Sequence, residues 1–84
     1  MKINKGIVIQ KKGKTSTIFD GEKSILFTLN DTATFIFSCL KLDKKTEEIA
    51  KFMVKKYKIT PDVATKDIRD FITELKKKKI VSES

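Results

Sequence analysis

Residues 24–34 read Ser-Ile-Leu-Phe-Thr-Leu-Asn-Asp-Thr-Ala-Thr, an apolar strand that runs without a linker into a capped helix. Ile25, Phe27 and Leu29 fall on one side of an extended chain and Leu26 and Thr28 on the other, which gives the strand one core face. Asn30 stands where a helix N-cap belongs, its side-chain oxygen able to accept from a first-turn amide, and Asp31 favours the positive end of the helix dipole. The residues before this stretch are expected to build a small sheet beside it. The residues after it should build helices that cover that sheet.

Upstream, Ile7, Val8 and Ile9 form a β-rich run that breaks at Lys11-Lys12-Gly13-Lys14, where glycine can take the positive φ of a hairpin loop. Thr15 to Phe19 is a second strand, closed by Asp20-Gly21, a two-residue hairpin signal. Three strands joined by short turns make an antiparallel meander, with Lys5, Lys12, Lys14 and Lys23 on an outer face turned to water.

Downstream, the first helix is expected over residues 31–40, apolar nearly all round through Ala33, Phe35, Ile36, Phe37, Cys39 and Leu40. Thr46 caps a second helix with Glu47 and Glu48 in its first turn, and Ile49, Phe52, Met53 and Tyr57 make its buried face. Thr60-Pro61 opens a third helix over about residues 61–78, a hydroxyl cap followed by proline where its missing N–H costs little. That helix keeps Ala64, Ile68, Phe71, Ile72 and Leu75 on one face and ends in the basic run Lys76 to Lys79, which complements the C-terminal dipole. Ile80-Val81 should tuck back onto the core, and Ser82-Glu83-Ser84 should fray.

The 84 residues form one domain, residues 1–84, with enough apolar content at 39% for one core but little depth for a multi-residue active site. A single cysteine excludes an internal disulfide, and with no histidine the commonest transition-metal ligand is missing. Cys39 lies within the apolar run and reads as a packed thiol. No metal site and no cofactor are expected. Asp67, Asp70 and Glu74 have spacings that can hold a cation, but with Lys66, Arg69 and the lysine run close by they read as a solvated, salt-bridged face. No Ser/His/Asp or Cys/His pairing exists, and the isolated glycines form no phosphate loop, so catalysis is not expected. No window approaches a membrane span, and the chain reads as soluble and cytoplasmic.

The formal charge of +8, from 19 Lys+Arg against 11 Asp+Glu, favours polyanionic or acidic partners. A helix-turn-helix around Lys58-Ile59-Thr60 is conceivable, with Lys76 to Lys79 and Lys11, Lys12 and Lys14 on phosphates. Its recognition helix, however, opens with Pro61, Asp62 and then Asp67, and would meet DNA with carboxylates.

One ordered pattern runs from Leu29-Asn30-Asp31-Thr32-Ala33 through Lys45-Thr46-Glu47-Glu48-Ile49-Ala50 and Tyr57 to Asp67-Ile68-Arg69-Asp70-Phe71-Ile72-Thr73-Glu74-Leu75 and Lys79-Ile80-Val81. Over about residues 5–81 it resembles the PqqD family, the precursor-peptide recognition elements of ribosomally synthesised, modified peptide pathways. It departs from the family pattern at Lys79, where a glycine is usual, and at the apolar Phe35-Ile36-Phe37. The resemblance implies an α+β winged helix-turn-helix of β-β-β-α-α-α order, a three-stranded antiparallel sheet followed by three helices. It implies non-catalytic binding of the leader segment of a precursor peptide, presented to a modifying enzyme such as a radical S-adenosylmethionine protein, a protease or a cyclase.

Strand addition suits that role, since an edge strand offers unpaired N–H and C=O groups to an extended peptide. Ile25, Leu26, Phe27 and Thr28 are expected to supply the edge. The resemblance makes the third helix the other wall and carries the role onto Ala64, Asp67, Ile68 and Phe71, with Ile68 and Phe71 as apolar floor and Asp67 as a polar contact or cap; the competing reading of Ile68 and Phe71 is plain core. Leu26 is the telling residue, because it points away from the core face. The same open edge is able to pair with its own copy, so a homodimer is a second expectation. Nucleic acid is the competing partner, and a membrane is not expected.

Overall fold

The computed structural model describes residues 2–82. Its main sheet holds β2 (Ile7–Lys12), β3 (Thr15–Asp20) and β4 (Ile25–Leu29), flanked at the chain ends by β1 (Lys2–Ile3) and β5 (Val81–Ser82), with α1 (Asp31–Lys41), α2 (Thr46–Tyr57) and α3 (Pro61–Lys77) between β4 and β5. The order β2-β3-β4 is antiparallel, with Ile9 opposite Ile18 and Ile18 opposite Phe27. This is the α+β meander and three-helix order expected from the sequence, with the short β1–β5 pair added. Ser82, expected to fray, pairs with Lys2 and donates its hydroxyl to Asn4 Oδ1 at 3.0 Å. Glu83 and Ser84 lie outside the described residues.

Local chemistry explains the joints. The β2–β3 turn is Gly13-Lys14, with Gly13 at φ 63°, a conformation that only glycine adopts without steric cost. The β3–β4 connection is longer than the expected two residues. Asp20 pairs with Ile25, so residues 21–24 form the loop, and buried Asp20 holds it by accepting from the backbone N–H groups of Glu22 (3.1 Å) and Lys23 (3.3 Å). The aspartate side chain thus folds the turn, and Ser24 rather than Gly21 takes the positive φ.

Asn30 caps α1 by accepting from Ala33 N at 2.8 Å, and Thr60 caps α3 by accepting from Val63 N at 3.3 Å, with Pro61 in the first turn. The second cap differs from expectation. Lys45, not Thr46, is the N-cap of α2, and the Glu48 carboxylate reaches back to the Lys45 N–H at 3.2 Å, so the acidic third position does the capping.

The helix C-termini share a device. After α3, Ile80 N–H donates to Leu75 O (2.9 Å) and Lys79 N–H to Lys76 O (3.0 Å), with Lys79 at φ 58°. After α1, Lys44 N–H donates to Cys39 O (3.1 Å) and Asp43 N–H to Leu40 O (3.0 Å), with Asp43 also at φ 58°. Both are Schellman motifs, in which a left-handed residue lets the last carbonyls be satisfied. The first turns the chain so that Ile80 and Val81 enter the core, as expected.

The helices pack onto the inner face of the sheet. Ile18 from β3, Ile36 and Phe37 from α1, Ile49 and Met53 from α2, Ile68 from α3 and Ile80 are essentially without exposure, each worth about 1.5–3 kcal/mol of burial. A buried hydroxyl pair, Ser16 and Thr34 at 2.9 Å, ties β3 to α1. Phe52, expected on the buried face of α2, is instead 44% exposed, its place taken by Ala50 one turn before Val54. Tyr57 is half-buried and donates its hydroxyl to Asp31 Oδ1 at 2.9 Å. Burial first, then that hydrogen bond and the aspartate's charge, push the Tyr57 phenol up to about 12. The outer face of the sheet is less basic than expected, because Val8, Phe19 and Leu26 are exposed and sit opposite one another across the three strands.

Candidate functional site

In a sheet ordered β2-β3-β4, β4 has a strand neighbour on one side only, and among the described residues its other edge carries no strand. The two outer strands differ chemically. The second half of β2 is Gln10, Lys11 and Lys12, all exposed, and lysines of this kind discourage a further strand. β4 reads Ile-Leu-Phe-Thr-Leu, with no charge.

Beside the open edge of β4 runs a cleft whose far wall is α3. A cavity of about 450 Å³ is lined by Leu26, Phe27 and Thr28 of β4 and by Phe71, Glu74 and Lys78. Asn30, Ala33 and Phe71 also border a second cavity of about 300 Å³, which continues the cleft past Asp67 and Asp70. Phe71 is the shared floor, and it is fixed from behind by an edge-to-face contact with core Phe37 at 6.5 Å between centroids.

The ends of the cleft have different charge. At one end Asp67 is exposed beside Asp70, whose carboxylate is bound by Lys66 at 2.7 Å, and that bond together with the charge of Asp70 raises the Lys66 ammonium. At the other end Lys78 stands over the Phe27 ring at 4.7 Å and lies 3.6 Å from Glu74. Lys23 reaches across from the β3–β4 loop and donates to Lys78 O at 3.1 Å, which ties the sheet to the end of the helix. An apolar floor with polar rims and one open strand edge has the features of a site for an extended peptide.

The expected site residues divide. Leu26, Phe27, Thr28 and Phe71 meet at the cleft, and Asp67 lines its acidic end. Leu26 is 66% exposed and faces solvent, as its position in the strand required. Ile25 is exposed at the start of β4 but does not border the cavity. Ala64 and Ile68 are fully buried and border neither cavity, so Ile68 is core instead of floor, and the apolar lining from this helix comes from Phe71 and Leu75. At about 100° per residue, the row Asp67, Phe71, Glu74, Lys78 lies roughly a quarter turn around α3 from the row Ala64, Ile68, Leu75. The second row packs against the core and the first faces β4. Asn30, Ala33, Glu74 and Lys78 were not anticipated at the site. Stepping from Phe71 by helical spacing finds Glu74 and Lys78.

Among the described residues no group of three His, Cys, Asp or Glu side chains is placed to hold a metal, and no helix is long and apolar enough to cross a membrane. Cys39 is buried, and burial pushes its thiol up despite Lys44 nearby.

The family model of coenzyme PQQ synthesis protein D (PqqD) matches residues 16–81. No curated protein matches the chain. Two solved structures are similar to it over nearly their whole length. One is TbiB1 in complex with the TbiA(beta) leader peptide, with a TM-score of 0.92, 24% identity, and coverage of 100% of this chain and 98% of that one. The other is lasso peptide synthetase B1 complexed with the leader peptide, with a TM-score of 0.86, 25% identity, and coverage of 92% of this chain and 91% of that one. The first likeness, at its identity, concerns the fold.

Proposed function

The chain belongs to the PqqD family, and from that premise we propose that it acts as one recognition unit that binds the leader segment of a ribosomally made precursor peptide and delivers it to a separate modifying enzyme. The leader adds as a strand to residues 25–28, and one of its apolar side chains sits on Phe71 and Phe27. The observation that carries this reading is the uncharged open edge of β4 faced by the Phe71, Glu74 and Lys78 row of α3. That two structures of the same fold were solved with leader peptides supports it.

β4 spans roughly 17 Å and can pair with four or five residues of an added strand. Each net main-chain hydrogen bond contributes about 0.5–1.5 kcal/mol, and one large apolar side chain buried in the cleft about 1.5–3 kcal/mol. The chain's own role in this reading is binding; it offers no histidine, and burial pushes its one thiol up. The partner enzyme, whether radical S-adenosylmethionine protein, protease or cyclase, carries the chemistry.

The test is an amide chemical-shift titration of the labelled protein with the precursor leader encoded beside it, run in parallel with duplex DNA. Shifts concentrated at residues 25–28 and 67–78 are expected with leader. Shifts confined to residues 11–14 and 76–79 with DNA, and none with leader, would overturn the proposal in favour of nucleic-acid binding.

A further inference from the structure

α1 carries a second concave surface, about a third of a turn round from the leader cleft. Ala33 and Ile36 face the cleft, whereas Phe35, Cys39 and Leu42 are centred about 120° round the helix from them by its 100° step. With Phe52 of α2 they wall a cavity of about 450 Å³ that is almost wholly apolar. Leu42 is 70% exposed, and Phe52 is open on the same side.

The rim of this basin is basic. Lys44, Lys55 and Lys56 border it, and Lys56 is fixed over the rings of Phe35 (5.5 Å) and Tyr57 (5.7 Å). Phe35, Cys39, Leu42 and Lys56 also line a trough of about 340 Å³ that runs on to the β2–β3 turn, where Lys11 and Lys14 stand. The acid bordering this trough, Asp31, already accepts the Tyr57 hydroxyl. Five lysines therefore border a groove about 16 Å long, the length of the α1 segment beneath it, whose floor is apolar at its Phe35, Leu42 and Phe52 end and carries Thr34 and Ser38 towards the β2–β3 turn.

We propose that this basin docks an acidic, apolar-anchored helical segment of the modifying enzyme, while the leader occupies the cleft on another face of α1. Charge complementarity selects the occupant. A segment with Leu or Phe at helical i, i+3, i+4, i+7 spacing fills the groove, and glutamates or aspartates on its flanks meet the lysines. A phosphate backbone would meet the lysines but leave the Phe35, Leu42 and Phe52 floor without an apolar partner, and a concave surface is poorly shaped for insertion among lipid chains. The proposal rests on the leader-binding reading only in taking the partner to be that enzyme.

The probe is a synthetic peptide of about 15 residues with leucines at that spacing and glutamates elsewhere, with a second peptide carrying lysines in place of the glutamates. Phosphatidylglycerol vesicles and duplex DNA form the other arms. The glutamate peptide is expected to shift amides at residues 35–42 and 52–56, to spare residues 25–28, and to bind at least about tenfold more tightly than the lysine peptide. Phe52→Glu and Lys56→Glu, both at solvent-facing positions, should each weaken it about tenfold and leave leader affinity within twofold. The modifying enzyme encoded beside the chain should show the same losses with the same variants.

Equal binding of the two peptides, shifts at β4, tighter binding by vesicles or DNA, or an enzyme indifferent to the variants would overturn the proposal. Leader titration of the same samples reads the cleft separately, so a protein that binds no leader refutes the first reading and leaves this result to stand or fall alone.

Discussion

Lys79→Gly should make this protein more stable, although it removes a side chain and replaces it with nothing. Lys79 sits at φ 58° as the left-handed residue of the Schellman motif that ends α3. For an L-residue with a Cβ that conformation costs roughly 1–2 kcal/mol, and glycine adopts it freely. Glycine also gains about 0.5–1 kcal/mol of conformational freedom in the unfolded chain, which offsets part of the benefit. The net expectation is about 0.5–1 kcal/mol of stabilisation, or roughly 3–6 °C in Tm for a domain of this size.

Thermal unfolding followed by circular dichroism measures it, and Lys79→Ala is the control. Alanine removes the same charge from the Lys76 to Lys79 run but keeps the Cβ, so it should leave Tm nearly unchanged. If alanine stabilises as much as glycine, relief of charge repulsion is the cause and the backbone argument is wrong. A loss of stability with glycine would refute it more directly, by showing that the Lys79 side chain contributes more than its conformation costs.

Leu26→Asp, at an exposed position, should change stability by less than about 0.5 kcal/mol yet weaken leader binding, whereas Phe71→Ala should lower both, with at least about a tenfold loss of leader affinity by calorimetry. Tyr57 is the single tyrosine in a chain without tryptophan, so its ionisation can be followed by ultraviolet absorbance alone. With its phenol raised from 10.0 to about 12, the folded state holds the proton more tightly than the unfolded one. The resulting stabilisation is complete below pH 10 and is lost as pH rises through 12, and Tyr57→Phe should remove that dependence. The net charge of +8 should speed the encounter with an acidic leader more than it tightens the complex, so stopped-flow association should slow with added salt; an on-rate indifferent to salt would exclude steering.

The fold was legible because its punctuation is local. Asn30 and Thr60-Pro61 are side-chain chemistry a few residues from the helices they start, and alternation in residues 25–29 fixes which side of β4 is buried. Two boundaries were misread where two local devices compete: Glu48 outweighs Thr46 in capping α2, and the Asp20 carboxylate organises a four-residue loop where Asp20-Gly21 suggested a tighter turn. The cleft was half legible. Periodicity identifies the apolar face of α3 but does not say where along its width the core ends and the sheet edge begins, so Ala64 and Ile68 were grouped with Phe71. Glu74 and Lys78 escaped because charged residues on a helix surface carry no mark that separates a rim from bulk solvent. Phe52 escaped for the converse reason, since an apolar residue at helical spacing is usually covered, and Leu42 escaped because it stands among the charges of residues 41–45 just past the expected end of α1.

The pairing of Lys2 with Ser82 and Ile3 with Val81 makes the path of the backbone almost a closed ring, with its two described ends about 5 Å apart. A ring of this kind can be cut elsewhere. Joining the ends by a short linker and opening the chain at Gly13-Lys14 yields a permuted protein in which every helix keeps its neighbours. The same geometry lets the unit be spliced into a surface loop of another protein, because its entry and exit occupy a single point on the host. Pulled by those ends, the β1–β5 pair unzips one residue pair at a time, because both ends leave the same side of that ladder.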